Sequence, residues 1–157
     1  MKNDLDVRLA TTSDAPAICR VVRESIIELC FADHRGDARV LARWLENKTP
    51  DDIGRWLKNA ANVNLVAVRA DAILAAGCVT IAGEVTLNYV APAARFMGAS
   101  NALLAEMECR ARLLGRDRCR LESTGTALRF YTDRGYRPLA EPGTKHGLTT
   151  YPLAKAL

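Results

Sequence analysis

The chain has 157 residues, 49% hydrophobic and 25% charged, which is the length and balance of one globular domain able to bury a core without staples. Lys plus Arg number 22 against 18 Asp plus Glu, a net charge of +4. That composition excludes wholesale disorder and collagen-like repeats, and the charge is too mild and too mixed to argue for nucleic acid as a partner. The N-terminal MKNDLDVRL is charged and the longest apolar runs, such as 72–77, fall far short of the ~20 residues of a membrane span. No signal peptide and no membrane partner are expected, and the expected location is cytoplasmic. Cys19, Cys30, Cys78, Cys109 and Cys119 show no metal-ligand spacing and read as reduced, mostly core residues, with no metal expected.

In chain order, Val7 to Ala10 alternates as a first strand. Thr11-Thr12-Ser13-Asp14 is an N-cap cluster, and Pro16 falls in the first turn, where its missing N–H costs nothing. Ile18, Val21, Val22, Ser25, Ile26 and Leu29 then recur at helical spacing, so a helix is expected over 14–31. Asp33-His34-Arg35-Gly36 reads as a turn. A helix over 37–47 would carry Val40, Leu41, Trp44 and Leu45 on one face. Thr49-Pro50-Asp51-Asp52 opens another with a cap, a proline and two acids at the positive end of the dipole, and Ile53, Trp56 and Leu57 carry it on. The runs 63–69, 73–81 and 85–90, joined by Ala70-Asp71 and Gly83-Glu84, read as an antiparallel meander. Ala99, Leu103, Met107, Ala111 and Leu114 give a long helix stopped by Gly115, with Glu106–Arg110 and Glu108–Arg112 as pairs on its solvent face. A strand over 118–123, a helix over 127–134 and strands over 136–139 and 148–153 complete a single mixed α/β domain, 1–157, built on one sheet.

Two stretches carry the chemistry. At 90–101 a strand ends, Pro92 stops it, and a loop with Arg95 and Gly98 opens into the long helix. Small residues at 98–100 allow close backbone approach. Unpaired N–H groups and the helix dipole make an anion site there, which Arg95 complements; a small-residue cap on a core helix is the plainer alternative. In the second stretch Thr124, Ala127 and Tyr131 share one helix face. Tyr131 is either a proton donor, with an ordinary phenol pKa near ~10, or a packing tyrosine with its hydroxyl satisfied.

Taken in order, strand, Arg-x-x-Gly loop, long helix, strand, and helix ending Phe-Tyr-x-x-x-Gly-Tyr resemble the GNAT superfamily of N-acyltransferases over nearly the whole chain. The opening Val-Arg-Leu-Ala-Thr-x-x-Asp-Ala is also typical of it. The family's phosphate loop, Arg/Gln-x-x-Gly-x-Gly/Ala, is here Arg95-Phe96-Met97-Gly98-Ala99-Ser100, with a serine in the last position. The later segment is similar to Asn-x-x-Ala-x-x-Phe-Tyr-x-x-x-Gly-Phe, with Thr124 in the asparagine position and Tyr136 in the phenylalanine position.

The resemblance implies a central, mostly antiparallel sheet splayed at the cofactor site and flanked by helices, with acetyl-CoA as cosubstrate and no metal. Tyr89 and Val90 at the end of the splayed strand would offer backbone to the thioester and pantetheine arm. Phe96, Met97, Gly98, Ala99, Ser100 and Asn101 would give N–H groups to the pyrophosphate beside Arg95, and Thr124 would lie along the cofactor. Tyr131 would protonate the departing thiolate after direct attack by the amine, so no acyl-enzyme cysteine is needed. The acceptor must first lose a proton, for which Glu84 and Glu122 are the candidate bases; either is otherwise a solvated surface acid. Asp33, His34 and Asn88 are placed on the acceptor side, with Trp44 and Trp56 as further candidates or as core, and His146 as structural. The expected function is acetyl transfer to a primary amine of a small molecule or peptide; the alternative is a CoA-binding sensor with the same fold and no turnover. A homodimer is left open, since no interface is located by the sequence.

Overall fold

The computed structural model describes residues 4–157. Strand β1 (Asp6–Leu9) leads through a short 3₁₀ turn into helix α1 (Ala15–Leu29), followed by α2 (Phe31–His34), α3 (Ala38–Leu45) and α4 (Pro50–Lys58). Strands β2 (Asn62–Arg69), β3 (Ala72–Thr80) and β4 (Val85–Val90) precede α5 (Ala99–Leu113) and β5 (Arg118–Ser123). The chain closes with α6 (Leu128–Thr132), β6 (Arg137–Pro138), β7 (Gly143–Lys145) and β8 (Leu148–Ala156). The helix starts follow the sequence: the Asp37 carboxylate caps α3 and Thr49 caps α4 ahead of Pro50. At the head of α1, the buried Asp14 takes two bonds from Arg8, of 2.8 and 3.0 Å, and one from the Thr11 N–H.

Strands β1 to β4 form an antiparallel sheet in chain order, and β5, β8 and β6 form a second, with β7 paired to β8. The β2–β3 turn has Ala70 and Asp71 both at positive φ, the backbone of a two-residue hairpin turn. The two halves meet at one parallel bridge, Glu84 to Arg120, reinforced by the Arg120 N–H on the Gly83 carbonyl at 3.0 Å. Beyond it β4 and β5 part, which is the expected splay. One residue of β4, Thr86, bulges out of register between the pairs Cys78–Leu87 and Val79–Val85, a device that bends a strand and re-aims its side chains.

Alternation along the strands builds a core on each face. Leu65, Ala67, Ala75 and Val79 meet Leu103, Met107 and Ala111 of α5, while Val66 and Ala76 meet Ile18, Val22 and Ile26 of α1 with Trp44 and Ile53. A Cβ on Gly77 would stand 3.1 Å from the Met107 methyl, so this glycine lets α5 lie close on β3.

Several expectations are refined, beginning with the one sheet, which lies in two halves joined at the Glu84–Arg120 bridge. The 33–36 turn begins as the single-turn helix α2, and the helix expected over 127–134 shortens to five residues. β7 was not anticipated; it joins β8 through His146-Gly147, both at positive φ, so His146 is a turn residue. Glu108 does not face solvent beside Arg112. It is buried under β8, where Lys155 Nζ lies 3.0 Å from both of its oxygens and the Tyr136 hydroxyl donates to Oε1 at 3.1 Å. Helical spacing permits i,i+4 pairing but does not say which face a strand 47 residues away will cover. Glu108→Ala leaves an ammonium and a phenol without their acceptor. Loss of a buried partner costs about 3–5 kcal/mol, and because Lys155 is a quarter exposed the low end of that range is expected in urea unfolding.

Candidate functional site

The parted ends of β4 and β5 enclose a cavity of about 340 Å³, walled by Val85 to Val90, the loop and first turn at 94–96 and 98–101, Leu121 to Thr124, one face of α6 and the end of α1. The loop makes the anion end. A 3₁₀ turn at Pro92–Ala94 breaks β4, Ala94 is buried as its anchor, and Phe96 and Gly98 both take positive φ, 66° and 85°. A left-handed phenylalanine is a strained position; Phe96 is 91% exposed, with the Arg95 guanidinium 4.7 Å from the centre of its ring. The first intrahelical bond of α5 runs from Ala102 N–H to the Gly98 carbonyl, so Ala99, Ser100 and Asn101 have N–H groups that the helix itself does not use. No side chain caps this helix and its first turn holds no acid. A Cβ on Gly98 would meet nothing within 4 Å; the space over the helix end is open.

Arg134 is a second cation at this rim. Its Nε donates to Asn101 Oδ1 at 2.7 Å, and its guanidinium lies 3.8 Å above the Phe130 ring. Met97 is turned away from the cavity: its N–H goes to the Ala94 carbonyl at 3.3 Å and its sulfur lies 4.0 Å from Arg69 Nη1.

On β4, Tyr89 and Val90 line the cavity. Asn88 Nδ2 reaches the Ser100 carbonyl at 3.5 Å, and its buried Oδ1 has no partner among the described residues. Tyr131 is buried edge-on against Phe130 and Tyr136, at 5.1 and 5.5 Å between ring centres. Burial pushes its phenol up to about 12, with the Asn88 side chain acting the other way. Thr124, Ala127 and Tyr131 all face the cavity, with Thr124 Oγ1 accepting the Ala127 N–H at 3.3 Å. Cys30 also lines it, and burial pushes that thiol up to about 12; a protonated thiol is a poor nucleophile. Cys19, Cys78 and Cys119 are likewise buried, and Cys109 is exposed on α5.

The remaining candidates divide. Glu122 lines the cavity with its carboxylate half exposed, 3.9 Å from Lys145 Nζ. Glu84 is exposed outside it and joins β5 through its backbone. Asp33 and His34 line a separate polar hollow beside the β7–β8 hairpin. His34 is buried, its Nδ1 accepting the Gly36 N–H and its Nε2 donating to the Ile26 carbonyl, at 3.0 Å each. Asp33 is engaged with Gly125 and Thr126. Trp44 is core and Trp56 packs against the same cluster. The sequence reading assigned no role to Arg134, Phe130, Thr126, Ser25 or Leu29, all on the cavity wall; an arginine one turn after Phe130 was the signal for the first pair.

An open helix end with two arginines, a splayed strand edge and a neutral buried phenol thus share one cavity. That set can bind an elongated anion and hand one proton to a leaving group. A family profile described as Acetyltransferase (GNAT) domain matches residues 32–157. No curated protein is similar in sequence. Among solved structures, a GCN5-related N-acetyltransferase from Rhodopseudomonas palustris superposes with a TM-score of 0.88 at 17% identity, covering 100% of this chain and 99% of that one. The PaiA N-acetyltransferase of Thermoplasma acidophilum, in complex with coenzyme A, gives 0.82 at 18% identity over 98% and 99%. A ribosomal-protein-alanine N-acetyltransferase from Brucella melitensis gives 0.75 at 22% over 98% and 100%. At these identities the likeness is one of fold.

The buried phenols make alkaline stability a test of the site. An unfolded tyrosine ionises near ~10, whereas Tyr131 keeps its proton to about 12. A raised pKa gives stability that is complete below the unfolded value and is lost as pH climbs through the folded one. Urea midpoints therefore fall from pH 10 upward, and Tyr131→Phe flattens that limb.

Proposed function

The chain belongs to the GNAT acetyltransferase family, and from that premise we propose that it transfers an acetyl group from acetyl-CoA to the primary amine of a small molecule or a peptide. The observation that carries the reading is the open N-terminus of α5 and the neutral Tyr131 in a single cavity between parted strands. Structural neighbours agree with it: one was solved with coenzyme A and another is named for an alanine amine.

The cavity fits this cosubstrate. The first-turn N–H groups of α5, with Arg95 at the rim, suit a pyrophosphate, and open space over Gly98 leaves room for it. The unpartnered Asn88 Oδ1 suits an amide N–H of a pantetheine arm, which β4 would pair like an added strand. Acetyl-CoA supplies an activated carbonyl carbon open to direct attack by a neutral amine. Tyr131 holds its proton at neutral pH and delivers it to the departing sulfur. Glu122 is the one carboxylate among the described residues of the cavity wall, and it takes the proton of the incoming ammonium directly or through water. No cysteine is acylated, because Cys30 stays a thiol.

The test is CoA release from acetyl-CoA with putrescine, 2-phenylethylamine and an alanine-initiated peptide in turn; no release and no stabilisation of the fold by millimolar CoA would overturn the proposal. Gly98→Asn puts a side chain over the helix end, and asparagine tolerates the left-handed φ there better than other side chains do. CoA affinity then falls tenfold or more in titration calorimetry, about 1.4 kcal/mol, while the free protein still unfolds cooperatively in a thermal scan. Tyr131→Phe deletes only a hydroxyl. Turnover falls by ~10²–10⁴ with CoA affinity shifted by no more than one hydrogen bond, ~1 kcal/mol; full activity would move the acid role to water, and CoA binding without turnover in either form would favour a sensor.

A further inference from the structure

Helix α6 has five residues, too few to hold itself against fraying, yet it carries Tyr131. Leu128, Phe130 and Tyr131 pack on the core, and the turn that opens the helix is closed from outside. The Gly125 N–H donates to Asp33 Oδ1 at 2.8 Å, the Thr126 N–H to Oδ2 at 3.2 Å, and the Thr126 hydroxyl to Oδ2 as well. The Ala127 N–H goes to Thr124 Oγ1. With their N–H groups turned to Asp33, the two peptide planes point their carbonyls the other way. The Thr124 carbonyl accepts from Ser123 Oγ at 2.8 Å, and that of Gly125 from the Leu128 N–H at 3.4 Å. A Cβ on Gly125 would stand 3.0 Å from Asp33 Oδ1, so a larger residue there would push the carboxylate back by a few tenths of an ångström. Asp33 is itself rigid. Its N–H bonds the Cys30 carbonyl, and the next residue, His34, is pinned between Ile26 and Gly36.

Three donors meet two oxygens, which only a carboxylate satisfies; an asparagine would turn an NH₂ toward an N–H. From this turn the chain makes one helical step, Tyr131 N–H to the Ala127 carbonyl at 3.2 Å, to the phenol in the cavity. We propose that Asp33 is a positioning residue: its carboxylate closes the N-terminus of α6 across 92 residues of sequence and thereby sets Tyr131 against the cavity. The inference rests on the acetyl-transfer reading and on Tyr131 as proton donor.

Asp33→Asn tests it, with acetyl-CoA and whichever of the three amines above releases CoA fastest. Turnover falls about 10–100-fold, the scale of a displaced catalytic group, while CoA affinity, set by β4 and α5, stays within about threefold. In a Tyr131→Phe background the same substitution lowers turnover by no more than about twofold, because its effect passes through that hydroxyl. Amide hydrogen exchange rises over 125–131 and not in β4 or α5. Unchanged turnover, or an equal loss in both backgrounds, would overturn the inference and leave Asp33 a stabilising contact only. Should Asp33→Asn fail to fold, Thr126→Val removes one donor of three and lowers turnover by about 2–5-fold; full activity there overturns the inference too. A wild-type protein that releases CoA to none of the amines overturns the acetyl-transfer reading itself, and the inference with it, whereas an active wild type with an equally active Asp33→Asn sinks the inference alone.

Discussion

The structure depends on two neighbouring parallel strands that refuse to pair. Parallel strands ordinarily share an evenly spaced ladder, but β4 and β5 share one bridge at Glu84 and Arg120. Past it, the β5-facing edge of β4 keeps its N–H and C=O groups without a strand opposite. Backbone polar groups buried that way are costly, so the gap is stable only as a cavity in which water or a ligand completes the pairing. Each half-sheet is held elsewhere: β4 by β3 and by α5 lying close over Gly77, β5 by six register pairs with β8. The Lys155–Glu108–Tyr136 cluster ties α5 to β8 behind the gap. Those anchors keep the strands from collapsing onto each other.

Two helices begin at this gap, and the chain treats their N-termini in opposite ways. α5 is left open, with no cap, no acid in its first turn and Arg95 and Arg134 at its rim. α6 is closed by the Asp33 carboxylate. A helix N-terminus attracts negative charge wherever it is bare. Filling one with a protein carboxylate leaves the other as the place where a ligand anion gains. A net charge of +4 is thus a poor guide to the site, whose electrostatics come from a few oriented groups and not from the total.

Local pattern reached most of this. The cap at Thr49, Pro16 and Pro50 near their helix starts, and the alternation of 63–69 all act within a few residues, and the structure keeps them. The open helix end was legible for the same reason: Arg95, Gly98 and the small residues after it are contiguous. Groups fixed by distant chain were not. Glu108 looks like a surface acid until β8 covers it, and Asp33 looks like an acceptor-pocket acid until the β5–α6 turn, far along the sequence, claims both its oxygens. His34 looked like a loop histidine because nothing nearby shows that α2 folds it back beneath Ile26. Glu84 and Glu122 were equivalent as strand-end acids, and only the direction in which β4 and β5 part separates them.

On the proposed reaction, burial explains why a tyrosine serves and a cysteine does not. An ordinary phenol near ~10 is a weaker acid than an ordinary thiol near ~8.5, so proton transfer from one to the thiolate of the other is uphill in water. The cavity changes the comparison. Desolvation is the largest influence on both Cys30 and Tyr131, and each is pushed up to about 12. Burial disfavours a thiolate as it disfavours a phenolate, so a sulfur anion released in a dry part of the cavity would bind a proton more readily than in water. The same burial keeps Cys30 a thiol and Tyr131 a phenol at neutral pH, so the first is silent as a nucleophile and the second still holds a proton to give.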